Sequence, residues 1–211
     1  MIRRLLIAAL LSVPLAACQT AQQPVASVDD DNWYVGSIPD QPHNIPLVDR
    51  RKMDPKYARQ TVEYKGPEKP GSIVVDIDER MLYLVQPEGK AIRYGVGVGK
   101  QGFSWRGVAS VGRKGVWPAW SPTKTMVGIK PDLPRHMEAG LDNPLGARAL
   151  YLHQNGADTL FRIHGTNEPW SIGEQVSSGC VRMLNEDVAD LYERVPVGTT
   201  VYVKRNGRYR V

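Results

Sequence analysis

The sequence predicts a mainly β fold with one or a few short helices. Three observations point there: 20 Gly and 16 Pro punctuate 211 residues, Val is frequent while Phe occurs only 2 times, and the apolar runs are short and β-branched. Such a balance suits many strands and turns better than long helices. The length supports one ordinary domain with a real hydrophobic core, even after loss of an export segment.

Residues 1–17 read as a leader. Arg3 and Arg4 precede an apolar run from Leu5 to Ala17, which is too short to span a bilayer and the right length for a signal-peptide core. The run ends Leu15-Ala16-Ala17-Cys18, which resembles the bacterial lipobox. That resemblance implies a lipid on the Cys18 thiol and a mature chain that starts there. Two or three acyl chains, at ~0.8 kcal/mol per buried CH₂, anchor a protein to a membrane that it does not span. Gln19 is not the Asp that resembles an inner-membrane retention signal, so the expected address is the periplasmic face of the outer membrane. With Cys18 lipidated, Cys180 becomes the one free thiol of an exported chain.

Residues 18–70 read as a tether and N-terminal extension, polar and Pro-punctuated, with the acidic run Asp29-Asp30-Asp31. Trp33, Tyr34, Ile45 and Leu47 are apolar residues there that are available to pack on the domain behind them. Residues 71–211 form that main domain. Strand signals run over Ser72 to Asp78, Met81 to Gln86 and, after Pro87-Glu88-Gly89, Ala91 to Val98, as an antiparallel meander. Gly99 to Gly146 lacks clear periodicity and reads as loops over a site, with Trp105, Trp117 and Trp120 as groove candidates. Further strands are expected at Ala147 to His153, Thr159 to His164 after a Gly-Ala-Asp turn, and Thr200 to Lys204. A helix is expected over Glu186 to Val195, with Asn185 as its cap and Pro196 as its stop.

Charge and spacing exclude several function classes. The formal charge of +5 falls by two when Arg3 and Arg4 leave with the leader, and the basic residues are scattered. No like-charge block or aromatic-basic repeat favours nucleic acid as a partner. Cys and His never recur at zinc-ligand spacing, so no metal is expected. Gly95-x-Gly97-x-Gly99 leads into a loop and opens no helix, so no dinucleotide cofactor is expected either.

The informative segment is Ile163 to Met183, IHGTNEPWSIGEQVSSGCVRM. It sets His164 at the end of an apolar strand and Cys180, after Gly179, 16 residues later. A thiol attacks only as thiolate, and an imidazole can take its proton, so Cys180 reads as nucleophile and His164 as base. Gly179 allows close backbone approach, so the Gly179 and Cys180 amides are oxyanion-donor candidates. The Gly165 carbonyl is placed to receive the other imidazole N–H and fix the tautomer. His43, His136 and His153 read as solvated or structural. Trp170 and Arg162 remain open.

These residues resemble the L,D-transpeptidases with the YkuD catalytic domain. The resemblance rests on His164-Gly165-Thr166, Gly173, Ser177-Ser178-Gly179-Cys180 and Arg182, with Asn143-Pro144-Leu145-Gly146 and the Ile73 to Val98 region. It covers roughly Gly71 to Val203. It implies a YkuD-like β-sandwich and a Cys180 thioester formed with a peptidoglycan stem peptide, with release of D-alanine and transfer to an amine acceptor. That acceptor is a second stem or a protein to be attached to the wall. Thr166, Ser177, Ser178 and Gly179 become substrate-binding candidates, and Arg182 a candidate for a bidentate grip on a substrate carboxylate. Ser178 stands where many members have a second His, which leaves His164 as the only motif histidine. Hydrolysis through the same acyl-enzyme stays open, as does a non-catalytic wall-binding lipoprotein. A papain-like protease does not fit, because there the cysteine precedes its histidine.

Overall fold

The computed structural model describes residues 32–100, 105–177 and 179–209, so Cys18, Ser178 and the leader lie outside the described residues. The chain is mainly β with few helices. Two strands open it, β1 (Tyr34–Ile38) and β2 (Ile45–Val48), paired antiparallel. Next come β3 (Gln60–Glu63), β4 (Ile73–Asp76), β5 (Met81–Gln86), β6 (Lys90–Gly95) and the short β7 (Val98–Gly99). β8 (Gly107–Val116) leads through helix α1 (Lys124–Ile129) to β9 (Arg148–Gln154) and β10 (Ala157–His164). The chain finishes with β11 (Gln175–Ser177), β12 (Val181–Arg182), helix α2 (Asn185–Arg194) and β13 (Thr200–Lys204).

Nine strands form one sheet in the order β12-β10-β9-β8-β13-β4-β5-β6-β3. The expected β4-β5-β6 meander is present, with Ile73 beside Leu84 and Leu82 beside Tyr94. β13 inserts between β4, to which it is parallel, and β8, to which it is antiparallel. The sheet curls back on itself. Gly97, just past β6, exchanges both backbone hydrogen bonds with Arg182 on edge strand β12, at 2.9 and 2.8 Å. That closure wraps one apolar core, in which Ile73, Leu82, Tyr94, Leu150, Ile163 and Met183 are fully buried. α2 seals it with Val188 and Leu191, also fully buried, each worth about 2 kcal/mol by area removed from water.

Three local expectations are corrected. The stretch from Gly99 to Gly146 holds β8 and α1 and is not all loop; β8 alternates buried and half-buried positions only from Gly107 to Gly112, where the inward residues are Gly107, Ala109 and Val111, and then exposes Arg113 and Val116, a muted signal. The β9–β10 turn is Asn155-Gly156, both at positive φ (51° and 79°), the two-residue hairpin chemistry, so β10 starts at Ala157. Asn185 is the first residue of α2 and does not cap it; Leu184 precedes the helix with no side-chain cap.

Within the extension, the described residues carry β1, β2 and β3. β3 adds to the sheet beside β6. Asp40 pairs with Arg148 at 2.7 and 2.8 Å and accepts from the Trp117 indole at 2.8 Å. Arg50 pairs with Glu186 and Asp187 on α2 at 3.1 and 3.0 Å. Trp33 and Tyr34 pack on the buried cluster of Val48, Tyr57, Met81, Ile172 and Leu184. The Pro-rich sequence of the extension hides this because the charged partners lie more than 100 residues away.

Candidate active site

β10 and β12 run parallel, with Ile163 beside Val181 and His164 beside Arg182. Successive strand residues face opposite ways. Ile163 and Val181 enter the core at 0% and 6% exposure, so His164 and Arg182 share the other face, with Cys180 one step before β12. The sequence folds this way because an apolar residue separates each functional one, and the core pulls the apolar set inward. His164, Cys180 and Arg182 line one cleft of about 550 Å³, together with Glu168, Trp120 and Met126.

His164 is buried at 5% exposure, and its Nδ1 lies 2.6 Å from the Gly165 carbonyl. A carbonyl only accepts, so Nδ1 carries the hydrogen and Nε2 keeps its lone pair. Burial, followed by the nearby Arg182 cation, holds the imidazole down to about 4, while the Gly165 and Pro144 carbonyls act in the opposite sense. Burial likewise pushes the Cys180 thiol up, opposed by the Arg162 backbone N–H and by the Arg162 and Arg182 cations. Both shifts favour the neutral forms, a thiol on Cys180 and an uncharged imidazole on His164.

Ser177 fixes the turn before the cysteine. Its hydroxyl accepts from the Gly179 N–H at 3.1 Å and donates to the Cys180 carbonyl at 2.6 Å. Gly179 sits at φ +128°, which favours glycine. The Gly179 amide is thus occupied, which leaves the Cys180 N–H as the remaining candidate of the two. Ser177 reaches the cleft wall; Thr166 does not, being 2% exposed with its hydroxyl accepting from the Glu168 N–H at 3.0 Å. Arg182 Nη1 is ion-paired to Glu168, so an incoming carboxylate has to compete with Glu168 for that guanidinium.

Glu168 and Asn185 are the functional neighbours that sequence reasoning missed. Glu168 lies inside the motif segment, but only strand pairing shows that it meets Arg182. Asn185 joins the Asn143-Pro144-Leu145-Gly146 turn to the His164-Gly165-Thr166 strand end, accepting from the Ala147 and Thr166 N–H groups at 3.0 and 3.2 Å. A Cβ on Gly146 or Gly165 would collide with its Oδ1, which explains both glycines. Asn143 holds the same turn by donating to the Pro118 and Glu138 carbonyls at 3.0 and 2.9 Å.

The tryptophans separate. Trp120 lines the cleft, Trp105 packs on Phe161, Trp117 is buried beside His43, and Trp170 is exposed against Trp33. His136 lies on the surface between Ser121 and Glu138. No group of three or more His, Cys, Asp or Glu could hold a metal among the described residues.

The L,D-transpeptidase catalytic domain, YkuD, matches residues 70–203 as a family model. The chain belongs to the YkuD L,D-transpeptidase family. The probable L,D-transpeptidase ErfK/SrfK of Escherichia coli K12 is 36% identical over 140 residues, covering 62% of this chain and 43% of that protein. The probable L,D-transpeptidase YbiS of the same strain is 37% identical over 139 residues, with the same two shares. The chain thus matches less than half the length of these relatives. Among solved structures, a probable carnitine operon oxidoreductase from Brucella melitensis is 49% identical, covering 71% of this chain and 95% of that one at a TM-score of 0.49. A Mycobacterium smegmatis L,D-transpeptidase is 23% identical, covering 63% and 57%, at a TM-score of 0.47. The YkuD match begins at residue 70, so β1, β2 and β3 precede the family domain.

Proposed function

We propose that this L,D-transpeptidase family member is an exported, lipid-anchored cysteine acyltransferase acting on peptidoglycan stem peptides. The observation that carries the reading is the Nδ1–H bond from His164 to the Gly165 carbonyl, in a cleft that also holds Cys180. It leaves Nε2 as the acceptor for the thiol proton. No Asp is needed, because the carbonyl does the orienting.

In the first half-reaction Nε2 takes the Cys180 proton as Sγ attacks the carbonyl that joins the diamino acid at position three to the terminal D-alanine. The Cys180 N–H stabilises the oxyanion. His164 then gives its proton to the leaving nitrogen, D-alanine departs, and a thioester remains. In the second, an amine of a second stem or of a protein attacks that thioester. Arg182 serves the donor carboxylate. A resting neutral pair keeps the thiol unreactive until the substrate is bound, which suits an enzyme in an oxidising compartment.

A second cavity of about 270 Å³ also reaches Cys180. The two cavities adjoin at Cys180, Trp120, Met126 and Leu145, and room for two substrates beside one cysteine supports transfer over hydrolysis. The Cys18 lipobox supports the anchor, and among the described residues no helix is long and apolar enough to cross a membrane.

The deciding experiment is intact-mass analysis of wild type and Cys180→Ala with a tetrapeptide stem ending in D-alanine and an amine acceptor. Acceptor-linked product absent from the variant supports the transferase; free tripeptide alone replaces it with a hydrolase. Membrane fractionation tests the address, with inner-membrane recovery as the contrary result.

A further inference from the structure

The second cavity has a distinct chemistry on one wall. Tyr151 on β9 is 7% exposed and lies between two guanidiniums. Strand register puts Arg113 of β8 on one side and Arg162 of β10 on the other, both directly opposite Tyr151. The Arg113 guanidinium carbon is 3.4 Å from the ring centroid and that of Arg162 is 4.5 Å away. All three side chains line the cavity that ends at Cys180.

The two cations differ in how their charge is balanced. Arg162 is gripped bidentately by Asp158 at 2.7 and 2.9 Å. Arg113 has no acidic partner among the described residues. A guanidinium stacked on a ring keeps its edge donors free and loses little freedom when it binds a planar anion. That edge is a carboxylate site held ready by the sheet. The remaining walls mix apolar residues, Trp120, Met126, Leu145 and Leu160, with the hydroxyls of Ser121 and Thr123 and carry no second charge besides Arg162, so they suit an uncharged side chain.

We propose that Arg113 is the acceptor-specificity residue: it binds a carboxylate borne on the same carbon as the attacking amine, and favours such an α-amino acid centre over an amine that lacks one. This rests on the acyl-enzyme reading above. In the step concerned, the neutral amine nitrogen attacks the thioester carbonyl, the C–N bond forms and the C–S bond breaks. The amine's surplus proton passes to His164 and then to the Cys180 thiolate, restoring the thiol. With its carboxylate on Arg113, the acceptor presents nitrogen to the thioester from the second cavity, which adjoins the donor cleft at Trp120, Met126, Leu145 and Cys180.

The test uses the whole mature chain with a tetrapeptide donor and paired acceptors that differ only in the carboxylate. D-Norleucine is set against D-norleucinamide; a tripeptide stem ending in diaminopimelate is set against the same stem ending in lysine. The first pair probes a free amino acid and the second a neighbouring stem, so the arms separate the two sources of the group. Product is normalised to the acyl-enzyme formed by each protein. Wild type should prefer the carboxylate-bearing member of at least one pair by roughly tenfold to a hundredfold. In Arg113→Gln that ratio should fall toward one, and Arg113→Lys, which keeps charge without the fork, should lie between. A ratio near one in wild type, or an undiminished ratio in Arg113→Gln, overturns the proposal. Thioester that only water resolves overturns it while leaving the acyl-enzyme intact; no thioester in wild type overturns both readings.

Discussion

Asn185 grips the backbone of Thr166 from both sides, accepting from its N–H at 3.2 Å and donating to its carbonyl at 2.9 Å. With the Ala147 N–H as a third partner, one buried amide ties the start of α2 to the strand end that carries His164. Replacing it by Ala strands three buried backbone groups, each costing about 1–3 kcal/mol when left unpaired. Asn185→Ala should lose roughly 3 kcal/mol, or about 10 °C in melting temperature for a chain of this size. A shift of less than about 2 °C in a thermal scan would remove Asn185 from this role.

The His164 environment sets a pH profile. Its imidazole, held at about 4 by burial and by Arg182, stays an available base well below the ~6.5 of a free one. The acid limb of kcat/KM should therefore fall near pH 4, not 6.5. Between those values the unfolded chain binds the extra proton, so this residue's contribution to stability is present above about 6.5 and lost as pH drops toward 4. Denaturant titration of His164→Gln beside wild type reads that difference. The raised Cys180 thiol should alkylate with iodoacetamide more slowly than free cysteine at pH 7; a faster rate would indicate a resting ion pair.

Arg182 links binding to that titration. Arg182→Gln removes a cation beside His164, so the imidazole should rise toward its ordinary value and carry the acid limb upward with it. Loss of the carboxylate grip should also cut kcat/KM about tenfold or more. A steady-state pH series on the variant separates the two effects, and an unmoved limb would refute the electrostatic coupling.

Arg50 supports two carboxylates that burial drives upward, Glu186 and Asp187. Acids raised by folding stabilise least at high pH, so their contribution declines as pH climbs through the folded values. Without Arg50 the penalty grows. Arg50→Leu should cost about 2 kcal/mol near pH 7.5, tempered by the partial exposure of the arginine, and less near pH 5. Equal losses at both values would contradict the pairing.

A strained β-lactam amide mimics the donor carbonyl. A carbapenem should add its mass to the folded wild type and not to Cys180→Ala, as read by intact-mass spectrometry. An unmodified wild type would count against Cys180 as the acylated residue.

The strand-end His164-Gly165-Thr166, the Ser177 to Cys180 turn and the β4-β5-β6 meander were legible in the sequence, because each is a short run whose side-chain alternation and glycine placement express local backbone preference. β8 was not, because small inward residues blur its period, and the extension was not, because its Asp40–Arg148 and Arg50–Asp187 pairs join residues more than 100 positions apart. Asn185 looked like a helix cap by position and became a clasp by contact. The residues alone were enough to point to the family, the thiol, the imidazole and the carbonyl that orients it. Folding was needed to bring Glu168 onto Arg182, to put the Ser177 hydroxyl on the Gly179 amide, and to turn Arg113 toward a second cavity with no acidic partner among the described residues. Motifs record what a backbone needs locally, whereas charge balance, burial and cavity walls arise where distant strands meet.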